Sequence, residues 1–561
     1  MNPIRQELSK QLQRVLSETF PGQPWDPGDS FEVPREEKFG DLSTNIALRV
    51  AKDLKRSPRA LAEEWLKELQ GFLERPELKE RVSKVTVEGP GFINFYFTLK
   101  EIASNLIFVE EKKETFGKPS LAKKKNILLE FVSANPTGPL TIAHGRQAAL
   151  GDSLARILKF CGHRVTTEYY NNDEGVQINT LGKSTLLRAD QLLAGRVEDL
   201  PEGLYQGGYL IETAKQILDQ EGHEKFKELS EEEKFRHCRQ FARDSILKGI
   251  QKDLKDFGVT FDHYYSQEAL SRSGKVEATL KALREKGMIY EKEGAVWLRS
   301  TDFGDDKDRV LIKSDKTYTY LTPDIAYHHE KFGRGFDSII DILGPDHHGY
   351  IARLKASQKA LGHDVSAIHV LIAQLVTLYE GVKQVRMSTR AGDFVTLREV
   401  LDQVGKDAGR FFFLMRKFDA HLDFDLALAK SQTPENPVFY IQYAHARVES
   451  IKKIFEERGL KPSKAPDDAL ACLENPAEIR ILRFLGQFED AVLGAERTLE
   501  PYRLVPYLMD LAGAFHRFYA EHRVVTEDTN LTQARMRLVL ATQQVLRTGL
   551  GLLGISAPLK M

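Results

Sequence analysis

The sequence predicts an α/β fold: a doubly wound parallel sheet flanked by an N-terminal α+β domain and a C-terminal all-α bundle. Three observations predict it. Apolar β runs alternate with helical spacing through the middle of the chain, an amphipathic helix and paired alternating segments precede them, and only long helical patterns follow about Pro434. Strand, helix, strand in succession implies a parallel crossover. The 561 residues also exceed what one core usually holds, so three or more domains are expected.

Near the start, Ile4, Leu8, Leu12 and Val15 mark one apolar helix face, a Pro/Gly loop follows near Pro21–Pro27, and a second helix is expected around Leu42–Leu54. Val85–Val87 and Phe92–Phe97 read as paired strands, and Lys112–Lys125, broken by Gly117-Lys118-Pro119, as a solvated linker. Ile127–Val132 is a short apolar strand. From His144 to Phe160, Leu150, Leu154, Ile157 and Leu158 keep helical spacing, with Cys161-Gly162 as the stop. Val165–Tyr170 returns as a strand. Charged, helix-like sequence around 179–257 interrupts the pattern as an insertion. The alternation resumes with a strand at Ser338–Leu343, a helix at Tyr350–Leu361 and a strand at Ile368–Ile372. Tyr440–Phe455, Glu478–Leu493, Val505–Glu521 and Leu531–Leu553 then read as the helices of a bundle.

Bulk properties exclude several classes. Hydrophobic residues make up 42% and charged residues 29%, and no apolar run is long enough to span a membrane. The three cysteines, Cys161, Cys238 and Cys472, lie too far apart for a disulfide framework or a cysteine zinc site. A cytoplasmic location is expected. The net charge of −1, with acids and bases balanced beyond Glu435, gives no sign of nucleic acid, so any RNA partner must be held by local patches.

The most informative stretch runs Glu-Phe-Val-Ser-Ala-Asn-Pro-Thr-Gly-Pro-Leu-Thr-Ile-Ala-His-Gly-Arg-Gln-Ala-Ala-Leu-Gly-Asp, from Glu130 to Asp152. A strand ends, a Pro/Gly loop spans Ser133 to Ala143, and a helix is entered near His144. In an open parallel sheet such a loop lies beyond the strand's carboxyl end, where ligands bind. Free amides and the positive dipole end of the helix favour phosphate there. In isolation a histidine at a helix start is a cap or a solvated residue; in this loop it reads as a nucleotide contact. Further on, Tyr320-Leu321-Thr322-Pro323-Asp324 puts Pro near a helix start and an acid in its first turn. Gly344-Pro345-Asp346-His347-His348-Gly349-Tyr350 joins a strand to a helix and suits contact with adenosine. Its two histidines have no carboxylate or cysteine at chelating spacing, so no metal site is expected. Val385-Arg386-Met387-Ser388-Thr389-Arg390-Ala391-Gly392 is a cationic loop.

Together these stretches resemble the arginyl-tRNA synthetases of class I, bacterial type. Phe39-Gly40-Asp41-Leu42-Ser43-Thr44-Asn45 resembles the family's additional N-terminal domain. Leu422-Asp423-Phe424-Asp425, Glu435-Asn436-Pro437 and Tyr440–Arg447 resemble the entry to its anticodon-binding bundle. Read without the family, the aromatics of that last segment belong to a helix core. The resemblance implies a tRNA-binding domain over 1–115, a Rossmann-like catalytic domain over 120–430, and an anticodon-binding domain over 435–561. It implies ATP-dependent ligation of L-arginine to tRNA(Arg) through arginyl-adenylate, with ATP entering as its Mg2+ complex; a monomer away from membranes is expected.

The resemblance also distributes roles. The signature-like region is Ala134, Asn135, Pro136, Thr137, Gly138, Pro139, Leu140, Thr141, Ile142, Ala143 and His144. Catalytic roles fall to His144, Thr141, Arg386 and Ser388. ATP contacts fall to Thr137, Gly138, Ala143, His144, Gly145, His347, His348, Lys383, Arg386 and Met387. Arginine contacts fall to Glu130, Ser133, Asn135, Tyr320 and Asp324, a carboxylate fork being the natural partner of a guanidinium. Thr141 and Ala143 depart from the His-x-Gly-His signature, and Arg386 replaces a compact lysine by a planar fork. Those departures keep two other readings open: a relative that holds tRNA without activating arginine, and a class I enzyme or nucleotidyltransferase with another substrate.

Overall fold

The structure is a computed structural model that describes residues 3–22, 27–34, 36–347, 349–381, 383–385, 395–461 and 467–561. Two compact units emerge. One contains 1–122, 433–552 and 556–561; the other contains 123–432 and 553–555.

In the first unit, the helix Pro3–Thr19 buries Ile4, Leu8, Leu12 and Val15, the face its spacing predicts. It packs with the helix Pro58–Leu73 beside an antiparallel sheet. The sheet order is Phe31–Glu32, Leu42–Thr44, Phe92–Phe97, Val82–Glu88. The single helix expected over Leu42–Leu54 therefore divides. Leu42–Thr44 pairs with Ile93–Phe95, Ser43 Oγ donates to Asn94 Oδ1 at 2.6 Å, and the helix is Ile46–Leu54. Cross-strand pairing overrides local helical spacing there.

The four bundle helices are Pro437–Glu457, Pro476–Thr498, Leu504–Glu521 and Thr529–Leu552. Asn436 and Asn475 cap the first two, each followed by a Pro at the first helical position. The helix Leu99–Lys112, which runs up to the expected linker, packs against the second and fourth. Arg537 holds Glu110 through a two-pronged contact at 2.7 and 2.8 Å. Gly117 has φ +82, and any Cβ there would run into the Phe488 ring.

The second unit is built on a five-stranded, all-parallel sheet in the order Ile368–Ile372, Ser338–Leu343, Asn126–Glu130, Arg164–Asn171, His263–Ser266. Two of the middle strands carry near-continuous apolar runs, as strands covered on both faces do: Ile127, Leu128 and Leu129 are buried, as are Ile339 and Ile340. The region read as an insertion is helical and connects two neighbouring strands of this sheet. Its helices are Val176–Leu193, Tyr209–Glu221, His223–Glu228 and Glu231–Asp256. Before the fourth strand comes a small antiparallel sheet, Arg309–Ile312, Ala295–Leu298, Ile289–Lys292, and then the helix Leu321–Gly333. After the fifth, Val376–Glu380 lies between Lys383–Gln384 and Leu422–Asp425. Among the described residues, no helix is long and apolar enough to cross a membrane.

Candidate active site

The first strand in sequence, Asn126–Glu130, lies between the second, Arg164–Asn171, and the fourth, Ser338–Leu343. The winding reverses between the first and the fourth, so a crevice opens beyond Glu130 and Leu343. Two predicted loops meet there: the signature-like loop and Gly344–Gly349. A Cβ on Gly344 would come within 3.7 Å of Gln147 Nε2, on the helix Ile142–Phe160 that follows the first loop.

The turn out of the strand is unusual. Val132 (φ +69) and Ser133 (φ +41) both adopt left-handed backbone, a genuine outlier for the β-branched valine. The corner turns Ser133 back on its own strand, where its Oγ donates to Glu130 Oε1 at 2.9 Å and accepts from Tyr170 N–H at 3.0 Å. Asn135 Nδ2 donates to Gln177 Oε1 at 2.6 Å, and the Thr137 carbonyl accepts from Tyr209 OH at 2.5 Å. Gly138 faces the same tyrosine.

Thr141 is the helix N-cap, with extended backbone. His144 Nδ1 accepts from Thr141 N–H at 3.1 Å and lies 3.1 Å from Thr141 Oγ1. An accepting Nδ1 leaves the proton on Nε2. Burial pushes the imidazole down to about 4, against the pull of Asp346, so His144 is neutral at pH 7. Thr141, at the position of the signature's first histidine, thus sets the tautomer of His144 through its backbone N–H. Ala143 shares the first turn, and Gly145 is packed so closely that a Cβ would lie 2.8 Å from Leu397 Cδ1.

The acidic side of the crevice gathers around Tyr170. Burial and the charges of Asp324, Glu130, Glu174 and Asp173 push its phenol well above the usual range. Asp324 accepts from Tyr350 OH at 2.9 Å. Burial raises the Asp324 carboxyl; His328 and Tyr350 oppose that, and Glu130 adds to it. Glu130 thus enters the surroundings of Asp324 as a like charge. Tyr320, at the N-cap of the Asp324 helix, is 72% exposed. His347 contributes charge to the Asp324 environment and stands edge-on to Tyr350.

Lys383 is exposed in a two-residue strand paired with Tyr379–Glu380. Arg386, Met387, Ser388 and His348 lie outside the described residues. The segment that resumes at Val395 does not stand apart from the signature-like loop. Ile142 N–H donates to Val395 O at 3.2 Å, Leu397 N–H to Leu140 O at 2.8 Å, and Thr141 bridges Thr396. Both cationic-loop flanks and the signature-like loop thus belong to the same unit.

Several site-building residues carry no motif in the sequence. Arg146 is fully buried, and its guanidinium donates to the carbonyls of Gln374 (2.8 Å), Lys417 (2.7 Å) and Ala420 (2.8 Å), pinning the His144 helix to two loops. Burial pulls it down to about 10, with Asp419 opposing. Tyr327 OH lies 2.9 Å from Glu130 Oε2 and 2.6 Å from Glu168 Oε1, and Lys331 and Arg334 join the same cluster. The one available signal is that Asp324, Tyr327, His328 and Lys331 share a helix face.

With this geometry in view, the comparisons agree. The family described as "tRNA synthetases class I (R), catalytic domain" matches residues 105–413, which makes the sheet unit that of a class I synthetase. "Arginyl tRNA synthetase N terminal domain" matches 6–97 and "DALR anticodon binding domain" matches 441–561. An arginine–tRNA ligase from Desulfosudis oleivorans is 46% identical over 95% of both chains, and one from Geobacillus kaustophilus is 47% identical, again over 95% of both. The solved arginyl-tRNA synthetase of Thermus thermophilus, at 24% identity, shares the fold with a TM-score of 0.76 over 99% of this chain and 100% of its own. The chain belongs to the arginyl-tRNA synthetase family.

Proposed function

We infer that the chain activates L-arginine with ATP and transfers it to tRNA(Arg). One observation carries the reading: Glu130 ends a strand at the switch point of a parallel sheet, and the loop that follows leads into a helix whose first turn holds His144. A cationic side chain and a polyphosphate are the ligands such a crevice brings together.

In the first step the arginine carboxylate attacks the α-phosphorus of Mg2+-bound ATP in line. The bond to the bridging oxygen breaks and pyrophosphate leaves. In the second, the 2′-hydroxyl of the terminal tRNA adenosine attacks the acyl carbon and AMP departs. Little covalent chemistry is asked of the protein, so positioning and charge stabilisation dominate. Asp324, with Tyr320, takes the guanidinium, and Glu130, Ser133 and Asn135 orient the amino-acid end. His144 Nε2–H donates to the nucleotide phosphates, Thr137 to Gly145 line their path, and His347 and His348 face the adenosine. Lys383, Arg386, Met387 and Ser388 supply the second phosphate contact. The bundle and the N-terminal segment hold tRNA, and the enzyme acts as a cytoplasmic monomer.

Arginine-dependent ATP–pyrophosphate exchange, with and without tRNA(Arg), tests the reading. Exchange in the presence of tRNA is the expected result. Tight tRNA binding with no exchange would instead identify a chain that retains RNA recognition without activation.

A further inference from the structure

Three carboxylates stand level across the parallel sheet. The strand register pairs Asp341 with Glu130 and Glu130 with Glu168. They are 2%, 6% and 0% exposed. Like charges at adjacent paired positions destabilise a sheet, and more so away from water. The counter-charges come from one direction. Arg334 closes on Glu168 as a fork, at 2.6 and 2.8 Å. Lys331, itself wholly buried, places Nζ 2.6 Å from Glu130 Oε2 and 2.7 Å from Asp341 Oδ1. Burial works against its charge, yet Asp341 and Glu130 hold the ammonium above the usual lysine range. Glu168 already has Arg334, so Lys331 is the lysine that Asp341 and Glu130 share.

The same helix carries Asp324, Tyr327, His328 and Lys331 at i, i+3, i+4 and i+7. His328 bridges the Asp324 carbonyl (2.9 Å) and Asp341 (3.1 Å). The acid offered to the ligand and the cation that balances the sheet acids therefore ride on one rigid element.

We propose that Lys331 is a positioning residue for arginine selection: standing between Asp341 and Glu130, it holds the Glu130 carboxylate in place at the crevice to orient an incoming arginine. This rests on the reading of the crevice as the arginine pocket. Ser133 and Tyr327 also contact Glu130, and neither is a cation. Removing Lys331 leaves Glu130 beside Asp341, which keeps His328, without the ammonium that draws the two together, and their repulsion displaces the Glu130 carboxylate. The pocket then loses a fixed carboxylate on the side that receives the ligand.

The test is pyrophosphate exchange by the full chain with tRNA, titrating arginine and ATP separately. Lys331→Gln is expected to raise the arginine KM by about tenfold or more while moving the ATP KM by less than about twofold. Adding Asp341→Asn removes the competing carboxylate, and the double variant should return the arginine KM to within about threefold of the parent. A purely structural lysine would move the arginine and ATP KM values together. An unchanged arginine KM in the single variant, a parallel rise for ATP, or a double variant no better than the single overturns the proposal. If the single variant fails to fold, the double variant decides alone: near-parent arginine KM supports the proposal and an increase of about tenfold overturns it. Absence of arginine-dependent exchange in the parent chain would strike the pocket reading, and this proposal with it.

Discussion

At the scale of single residues, the site combines a neutral donor with paired acids. His144 is held neutral by burial, so its Nε2–H acts as a hydrogen-bond donor at pH 7. His144→Ala should slow adenylate formation by roughly a hundredfold, the usual loss for one oriented donor to developing charge; an unchanged single-turnover rate would misplace the phosphate site. The same residue predicts an acid dependence. Its folded pKa, about 4, lies below the unfolded value of 6.5, so the unfolded chain binds more protons between those limits. Stability is then at its full value above about pH 6.5 and falls as pH drops toward 4, by up to about 3 kcal/mol. Denaturant titrations of His144→Ala should lack that part of the slope. Asp324→Asn keeps the shape but drops the charge, and it should raise the arginine KM by about tenfold or more with a smaller effect on ATP. Equal effects on both would remove Asp324 from the guanidinium contact.

At the scale of elements, the helix Ile142–Phe160 is located by close contact as well as by its loop. Gly145 leaves room for Leu397 and Phe413, and Arg146 ties the next position to three carbonyls. Gly145→Ala should therefore cost about 1–3 kcal/mol through overpacking, read from denaturant midpoints, and also raise the ATP KM because the first turn is displaced. A loss of stability with unaltered ATP handling would show that Leu397 and not the helix gives way. Much of this level was legible in the sequence: the strand and loop before His144, the Asp324 helix and the four bundle helices all follow from spacing and caps. What stayed hidden depends on register and distance along the chain. Leu42–Thr44 becomes a strand because Phe31–Glu32 and Phe92–Phe97 are there to pair with it. Glu168 and Asp341 look like ordinary strand residues until pairing sets them level with Glu130. A buried lysine at 331 has no local signature, since only its two remote carboxylates make burial tolerable.

At the scale of the whole molecule, the first unit draws on both ends of the chain. The helix Leu99–Lys112 completes the bundle, and the Glu110–Arg537 fork joins residues far apart in sequence. Glu110→Gln should destabilise this unit by about 1–3 kcal/mol. A double-mutant cycle with Arg537→Gln should show coupling of about 0.5 kcal/mol or more; additive losses would mean the fork is an incidental surface contact. In the second unit the buried acids Asp341, Glu130 and Glu168 are spaced by the backbone ladder. Slipping one strand by a single residue would turn its carboxylate to the opposite face. On the reading proposed above, the place of Glu130 in the pocket is therefore written into how the strands are aligned, and a graft that leaves that alignment alone should leave Glu130 where it is.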